Sequence, residues 1–336
     1  MAVLRPSLIG RTAWMISDGK AGNNVQMRGV LEALGVEIIL KSVSPRGLQR
    51  VLSPWIGVSK SERFGRPGSR FSSPWPDIAV AIGRLTTPYI RELKRHAGNE
   101  TFTVILQDPK VRASAADLFW VPEHDKLRGA NVITTLTAPH GFSERRLRQM
   151  KEILPPDIAR LNRPRVAVML GGSNGDYKYN AASLARLAAV LKRMAALGYG
   201  LMITPSRRTE KEIIACARKA TEGANCIFWD MSGDNPYPSF LAHADTFLAP
   251  ADSVNMTGEP CATGKPVYVF HPDGGSAKFN RFHCALEAHG ATRRLHGDFD
   301  KLEHWTYAPL NSAQEIADAI AARWAASRAN AVEKQE

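Results

Sequence analysis

Long apolar runs are missing from this 336-residue sequence. Nothing in it approaches the roughly 18 consecutive apolar residues that a membrane-spanning helix needs. The N-terminal stretch has no apolar segment followed by a small-residue cleavage site, so no secretory signal is read there. Cysteine is scarce: Cys216, Cys226, Cys261 and Cys284 are the only four, and none stands in a C-x-x-C pair. That suits a reduced, cytoplasmic protein with buried thiols. Neither glycine-containing loop has the G-x-G-x-x-G spacing, and no acidic residue closes a following strand as a ribose ligand of a dinucleotide should, so a dehydrogenase is set aside. No long block of like charge, zinc-finger spacing or RNA-recognition signature occurs. A nucleic-acid partner is therefore not expected, even at a net charge of +12.

What is present is ordinary globular material, 44% hydrophobic and 23% charged, long enough for two domains. The basic balance suits phosphorylated substrates or anionic membrane surfaces. Ala13–Ser17 reads as a strand, Asp18–Gly22 as a loop, and Met27, Val30, Leu31 and Leu34 recur at helical spacing before a strand at Val36–Lys41. This is the βαβ pattern of a parallel sheet. Further short strands are expected at Asp77–Ile82, Phe102–Gln107, Asp117–Val121 and Asn131–Leu136. A Pro-rich linker follows, and a second series opens at Arg165–Leu170. It continues through Leu201–Thr204, Cys226–Trp229, Thr246–Ala249 and Pro266–Phe270. The expected fold is thus α/β: two Rossmann-like domains, residues 1–155 and 163–311, with a C-terminal helix at 312–330 free to pack back on the first. Residues 45–76 interrupt the pattern with five prolines. Trp55, Phe64, Phe71 and Trp75 are interleaved there with Arg46, Arg50, Lys60, Arg63, Arg66 and Arg70. The mixture suits an anionic bilayer interface, and a packed loop equally well.

Two segments carry the strongest chemical signal. In Val166–Asp176, VAVMLGGSNGD, a buried strand runs into a glycine-rich loop and then a helix. Open amides and a helix dipole favour an anion there, and Ser173 and Asn174 add side-chain donors. A plain strand–helix turn is the alternative. In Ala251–Phe270 a helix is expected from Asp252 or Ser253, as N-cap, to Gly264, as C-cap. It places Glu259 at the carboxyl edge of the sheet, where a carboxylate can accept both hydroxyls of a ribose. A solvated helix carboxylate is the plainer reading. Arg207 and Arg208 follow a strand and could neutralise a diphosphate leaving group, or simply cap a helix. No Asp-x-Asp metal motif adjoins these arginines.

GGSNG before a helix, with S-x-x-x-x-x-E-x-x-x-x-G-x-P further on, resembles the C-terminal domain of the N-acetylglucosaminyltransferase that makes lipid II. Trp14–Gln26, Phe102–Pro109, Val121–Asp125, Leu170–Ser173, Ile203–Thr209 and Asp252–Phe270 are similar, more closely, to the plant mitochondrial-fission "elongated mitochondria" family and its bacterial relatives. The resemblance implies a GT-B-like fold, two Rossmann-like domains facing a cleft. It implies a metal-independent glycosyltransferase that uses a nucleotide-sugar as substrate and needs no cofactor. The acceptor is unknown, and a lipid-linked one is an option.

Carried over, Gly171, Gly172, Ser173, Asn174, Arg207 and Arg208 would hold the donor diphosphate and Glu259 the ribose. Ser253, Asn255 and Asn280 would lie beside the donor, while Gly19, Lys20, Gly22, Asn23 and Gln26 would form the acceptor-side loop. The lipid II enzyme has a histidine where this chain has Asn23, and asparagine is no base near neutral pH. Asp18, His124 and Asp125 are the catalytic candidates that remain. The other reading is a non-catalytic nucleotide-sugar-binding or membrane-associated interaction protein. The expected location is cytoplasmic, with peripheral contact to the inner face of an anionic membrane as an option.

Overall fold

The structure is a computed structural model that describes residues 8–295 and 297–333. It forms two compact units: the first ends at Gly141 and resumes at Asn311, and the second runs Phe142–Leu310. The first contains β1 (Thr12–Ser17), α1 (Ala21–Leu34), β2 (Glu37–Ser42), α2 (Gly47–Leu52), β3 (Ile78–Ile82), α3 (Thr87–Ala97), β4 (Phe102–Leu106), β5 (Leu118–Pro122) and β6 (Val132–Thr135). The second opens with α4 (Glu144–Lys151) and α5 (Pro156–Ala159). Then come β7 (Arg165–Leu170), β8 (Tyr177–Lys178), α6 (Ala181–Ala196), β9 (Gly200–Pro205), α7 (Lys211–Ala220), β10 (Cys226–Phe228), α8 (Tyr237–His243) and β11 (Thr246–Pro250). It closes with α9 (Val254–Gly258), β12 (Val267–Phe270), β13 (Asp273–Gly274), α10 (Ala277–Ala288) and β14 (Thr292–Arg294), after which α11 (Ser312–Glu333) returns to the first unit.

The first unit is built on a parallel six-stranded sheet ordered β2-β1-β3-β4-β5-β6. Every residue of β3 and β4 is buried, which is why these strands read as unbroken apolar runs rather than alternating ones. On one face Met27, Val30 and Leu31 of α1 and Ile316, Ile320 and Trp324 of α11 close over Met15, Val80 and Leu106. The spacing of both helical sets follows the 3.6-residue period. Tyr89, Ile90 and Leu93 of α3 cover the other face with Phe71, against Trp14, Ile16 and Ile105.

Parallel strands need a crossover, and the one from β2 to β3 is the proline-rich excursion. It is mostly a packed loop. Phe64 and Phe71 stack with centroids 4.9 Å apart, and Trp75 meets Trp14 edge-on at 5.8 Å. Of the four aromatics that suggested a bilayer interface, these three pack on the core and only Trp55 is exposed.

The second unit has its own parallel six-stranded sheet, ordered β10-β9-β7-β11-β12-β14, with β8 and β13 as a separate antiparallel pair. Val166, Val168 and Leu170 pack on Leu187, Leu191 and Met194 of α6 and on Ile213 of α7. The sequence placed the first boundary near residue 155, whereas residues 142–155 lie in the second unit. There the Phe142 ring meets Tyr237 at 5.9 Å, and His243 Nε2 lies 3.1 Å from the Ile153 carbonyl oxygen.

Candidate functional site

In the second unit β9 lies on one side of β7 and β11 on the other, so the chain reverses its direction of travel at the β7/β11 boundary. Open α/β sheets leave a crevice there, beyond the carboxyl ends of the strands. Three loops meet at this edge: Gly171–Asp176 after β7, Ser206–Glu210 after β9, and Ala251–Ser253 after β11.

The amides at 172 and 173 are not open. Gly172 N–H donates to Asp252 Oδ2 at 3.1 Å, and Ser173 N–H donates to the Glu210 carboxylate at 2.9 and 3.2 Å. The side chain of Asp252 is fully buried, also accepts the Tyr179 hydroxyl at 2.8 Å, and lies 3.6 Å from the Arg208 guanidinium. Burial raises its pKa, opposed by the Gly172 amide, Tyr179 and Arg208. The side chains that were to help are also engaged. Asn174 Oδ1 accepts the amides of Asp176 and Tyr177, and Ser173 Oγ accepts that of Tyr179.

Nor does the loop run straight into a helix. β8 intervenes, and α6 begins at Ala181, capped by Asn180, whose side chain accepts the Ser183 amide. The expectation of unhindered amides at a helix start is therefore corrected. The glycines are required by close packing instead. A Cβ on Gly171 would stand 2.0 Å from Asp252 Oδ1, and one on Gly172 2.2 Å from the Arg208 carbonyl oxygen.

Beside this turn lies a cavity of about 300 Å³, lined by Thr204, Pro205, Arg207, Trp229, Tyr237 and Met256 among others. Arg207 is exposed at its wall, whereas Arg208 faces Asp252. Ser253 caps α9 by accepting the Met256 amide at 3.4 Å, so it rather than Asp252 is the N-cap. The expected helix then tightens into a 3-10 turn at Glu259–Thr263 and ends at Gly264, φ 68°. Glu259 heads that turn. Its carboxylate accepts the Tyr237 hydroxyl at 2.6 Å, and dense protein surroundings raise its pKa to about 7, partly offset by that bond. Tyr237 is pushed up in turn by burial and by Glu259. Asn255 is exposed on α9, and Asn280 is exposed on α10.

In the first unit the Asp18 side chain is buried. It receives Lys20 Nζ at 2.9 Å and Asn23 Nδ2 at 3.4 Å. Gly19 takes φ 83° and donates its amide to Ser17 Oγ, while Gly22 opens α1 on its exposed side. Gln26 is buried and accepts from Gln107 Nε2 at 3.4 Å. His124 is buried in the turn after β5, where Asp125 N–H bonds the Pro122 carbonyl. β3 and β4 separate the ends of β1 and β5, a gap of roughly 14 Å at ordinary strand spacing. Asp18 and the His124–Asp125 pair therefore do not form one constellation.

Sequence reading missed Asp252 as an internal anion, along with Glu210, Tyr179, Tyr237 and Trp229. The only signal for the first two was an acid placed just after a strand end, opposite a glycine loop.

The family model for Mitochondrial fission ELM1 matches residues 21–324. The Mitochondrial fission protein ELM1 of Arabidopsis thaliana is 29% identical over 269 residues, covering 73% of this chain and 63% of the plant protein. Uncharacterized protein RP120 of Rickettsia prowazekii is 26% identical over 281 residues, 73% of this chain and 79% of that one. Among solved structures, MurG of Acinetobacter baumannii overlays with TM-score 0.46 at 13% identity, covering 93% of this chain and 91% of that one. The UDP-GlcNAc 2-epimerase of Methanocaldococcus jannaschii overlays with TM-score 0.49 at 10% identity, covering 92% and 99%.

Proposed function

This chain belongs to the Mitochondrial fission ELM1 family, and from that premise we propose that its second unit binds a nucleoside-diphosphate sugar. The nucleoside enters the cavity between Trp229 and Tyr237, and its ribose hydroxyls donate to Glu259. Arg207 meets the diphosphate, and Arg208 exchanges Asp252 for it. The observation that carries this reading is the carboxylate of Glu259. It is crowded by protein, held by one tyrosine, and set beside an aromatic cavity with an arginine on its wall. A carboxylate kept there at a cost in solvation is suited to a pair of hydroxyl donors.

Transfer of the sugar to an acceptor hydroxyl is the reaction we assign to the bound donor. The acceptor oxygen attacks the anomeric carbon, the bond to the β-phosphate oxygen breaks, and arginine charge stabilises the departing diphosphate. Asp18 is the base to test. Non-catalytic binding of the same ligand is the second reading, favoured by Asn23 and Lys20 already engaging Asp18.

Thermal denaturation in millimolar UDP-, GDP- and ADP-sugars tests the binding. At a hundredfold excess over Kd the matching ligand stabilises the second unit by about 2.7 kcal/mol, and Glu259→Ala removes the effect. No shift with any nucleotide would refute the proposal. Release of nucleoside diphosphate by wild type but not by Asp18→Asn separates transfer from binding alone.

A further inference from the structure

Short helix α2 is amphipathic the wrong way round for a globular protein. None of its residues is buried. Leu48, Val51 and Leu52 share one face of α2 at i, i+3, i+4 spacing, Trp55 follows in the turn after the helix, and the four are 76%, 66%, 42% and 64% exposed. Among the large apolar side chains exposed in the described residues, these four form the largest group close in sequence; Ile153 and Leu154 make a pair elsewhere. A solvent-facing stripe of this kind marks a surface that another phase or molecule covers.

Beside it lies a cavity of about 760 Å³ whose wall includes Trp55, Arg91, Lys94, Arg95, Lys110 and Arg112. Trp55 belongs to both features. Arg91 donates to the Pro54 and Trp55 carbonyl oxygens, at 3.0 and 3.4 Å, which fixes the end of the stripe to the cationic wall. Those acceptors are neutral, so the charge of Arg91 is not cancelled. Lys94, Arg95 and Lys110 are paired with Asp117, Glu92 and Asp108. Arg112 and, on the excursion, Arg46 and Arg50 enter no ion pair among the described residues, so the region keeps an excess of positive charge.

We propose that α2, Trp55 and this cavity form a docking surface for an anionic phospholipid bilayer. Leu48, Val51 and Leu52 enter the acyl boundary, and Trp55 sits at headgroup depth, where an indole is comfortable with one apolar and one wet side. The phosphates of anionic headgroups seat against Arg91, Arg95 and Arg112. Charge complementarity selects a bilayer over a neutral protein groove, because the cations adjoin the apolar stripe instead of surrounding a dry patch. The surface lies within the first unit and does not depend on nucleotide binding by the second.

Flotation of the full-length protein with vesicles tests it. Vesicles of phosphatidylcholine alone should leave it in solution. Vesicles with about one-third phosphatidylglycerol should carry it up, and NaCl near roughly 0.5 M should release it. The triple variant Leu48→Ser/Val51→Ser/Trp55→Ser and the double variant Arg95→Glu/Arg112→Glu should each lower partitioning at least roughly tenfold. All five side chains point outward or line an open cavity, and an unchanged melting temperature confirms that the fold is kept. Brominated lipid should quench wild-type fluorescence more than that of Trp55→Phe. Three results would overturn the proposal: no binding to anionic vesicles, binding that the triple variant leaves intact, or a dimer of this chain that the triple variant dissolves. Tight binding of a soluble polyanion such as heparin, indifferent to the triple variant and unaccompanied by flotation, would also overturn it.

Discussion

Two loops occupy equivalent places in the two units, each leaving the first strand of a parallel six-stranded sheet. Gly171–Gly175 follows β7, and Asp18–Gly22 follows β1. In the first of these, Gly171 and Gly172 are pressed against Asp252 and the Arg208 backbone, and carboxylates from neighbouring strands hold the Gly172 and Ser173 amides. In the second, a Cβ on Gly19 or Gly22 would meet nothing within 4 Å, and the chain passes directly into the 14-residue α1 with no side-chain cap at Lys20. The richer glycine motif is thus the more completely satisfied of the two. Glycine content reports close backbone approach, and what approaches can be the protein's own acids as readily as a phosphate.

The largest contrast lies in alanine substitutions. Gly172→Ala should destabilise the second unit by about 3 kcal/mol, because the clash is with backbone that cannot rotate away. Gly22→Ala, in the first turn of α1, should stabilise the first unit by about 0.5 kcal/mol. Urea midpoints followed by a probe in each unit give both signs, and similar losses at the two positions would erase the distinction.

Next in size is Glu259→Gln. The folded-state pKa of Glu259 is raised from 4.5 to about 7, so its proton favours the folded state. That contribution is complete below about pH 4.5 and is lost as pH rises through about 7. The amide, which does not titrate, should therefore exceed wild type by about 3 kcal/mol at pH 8 and converge with it below about pH 4, read from melting temperatures across pH. Nucleotide binding should fall in the same variant, so stability and affinity move in opposite directions.

The smallest effect concerns the occupied amide. Glu210→Ala frees Ser173 N–H and removes a negative charge. It should cost about 1 kcal/mol of stability while tightening binding of a nucleoside diphosphate about fivefold. Calorimetric titration checks this, and weaker binding in the variant would mean that Glu210 supports the ligand rather than competing with it.

The fold was largely legible because its strands are short, buried on both faces and separated by helices of clear period. β14 escaped because its three residues, Thr292, Arg293 and Arg294, contain no apolar run, and two of them are exposed. The site was legible in outline only. Ser253 and Gly264 announced their caps through local chemistry, and Glu259 could be placed from them. The carboxylate contacts across the sheet edge could not be found this way. Asp252 and Glu210 lie 80 and 37 positions from the amides they accept, and nothing local in a sequence specifies which strand end will face which.

Because α11 supplies Ile316, Ile320 and Trp324 to the first sheet after the whole second unit has been threaded, the order of synthesis and the order of completion are inverted. A ribosome-bound chain can finish its interior domain while the domain begun earlier still lacks part of one wall. Chaperone dependence, premature-stop sensitivity and exposure of the strands around Met15 and Val80 should therefore concentrate in the half that was translated first.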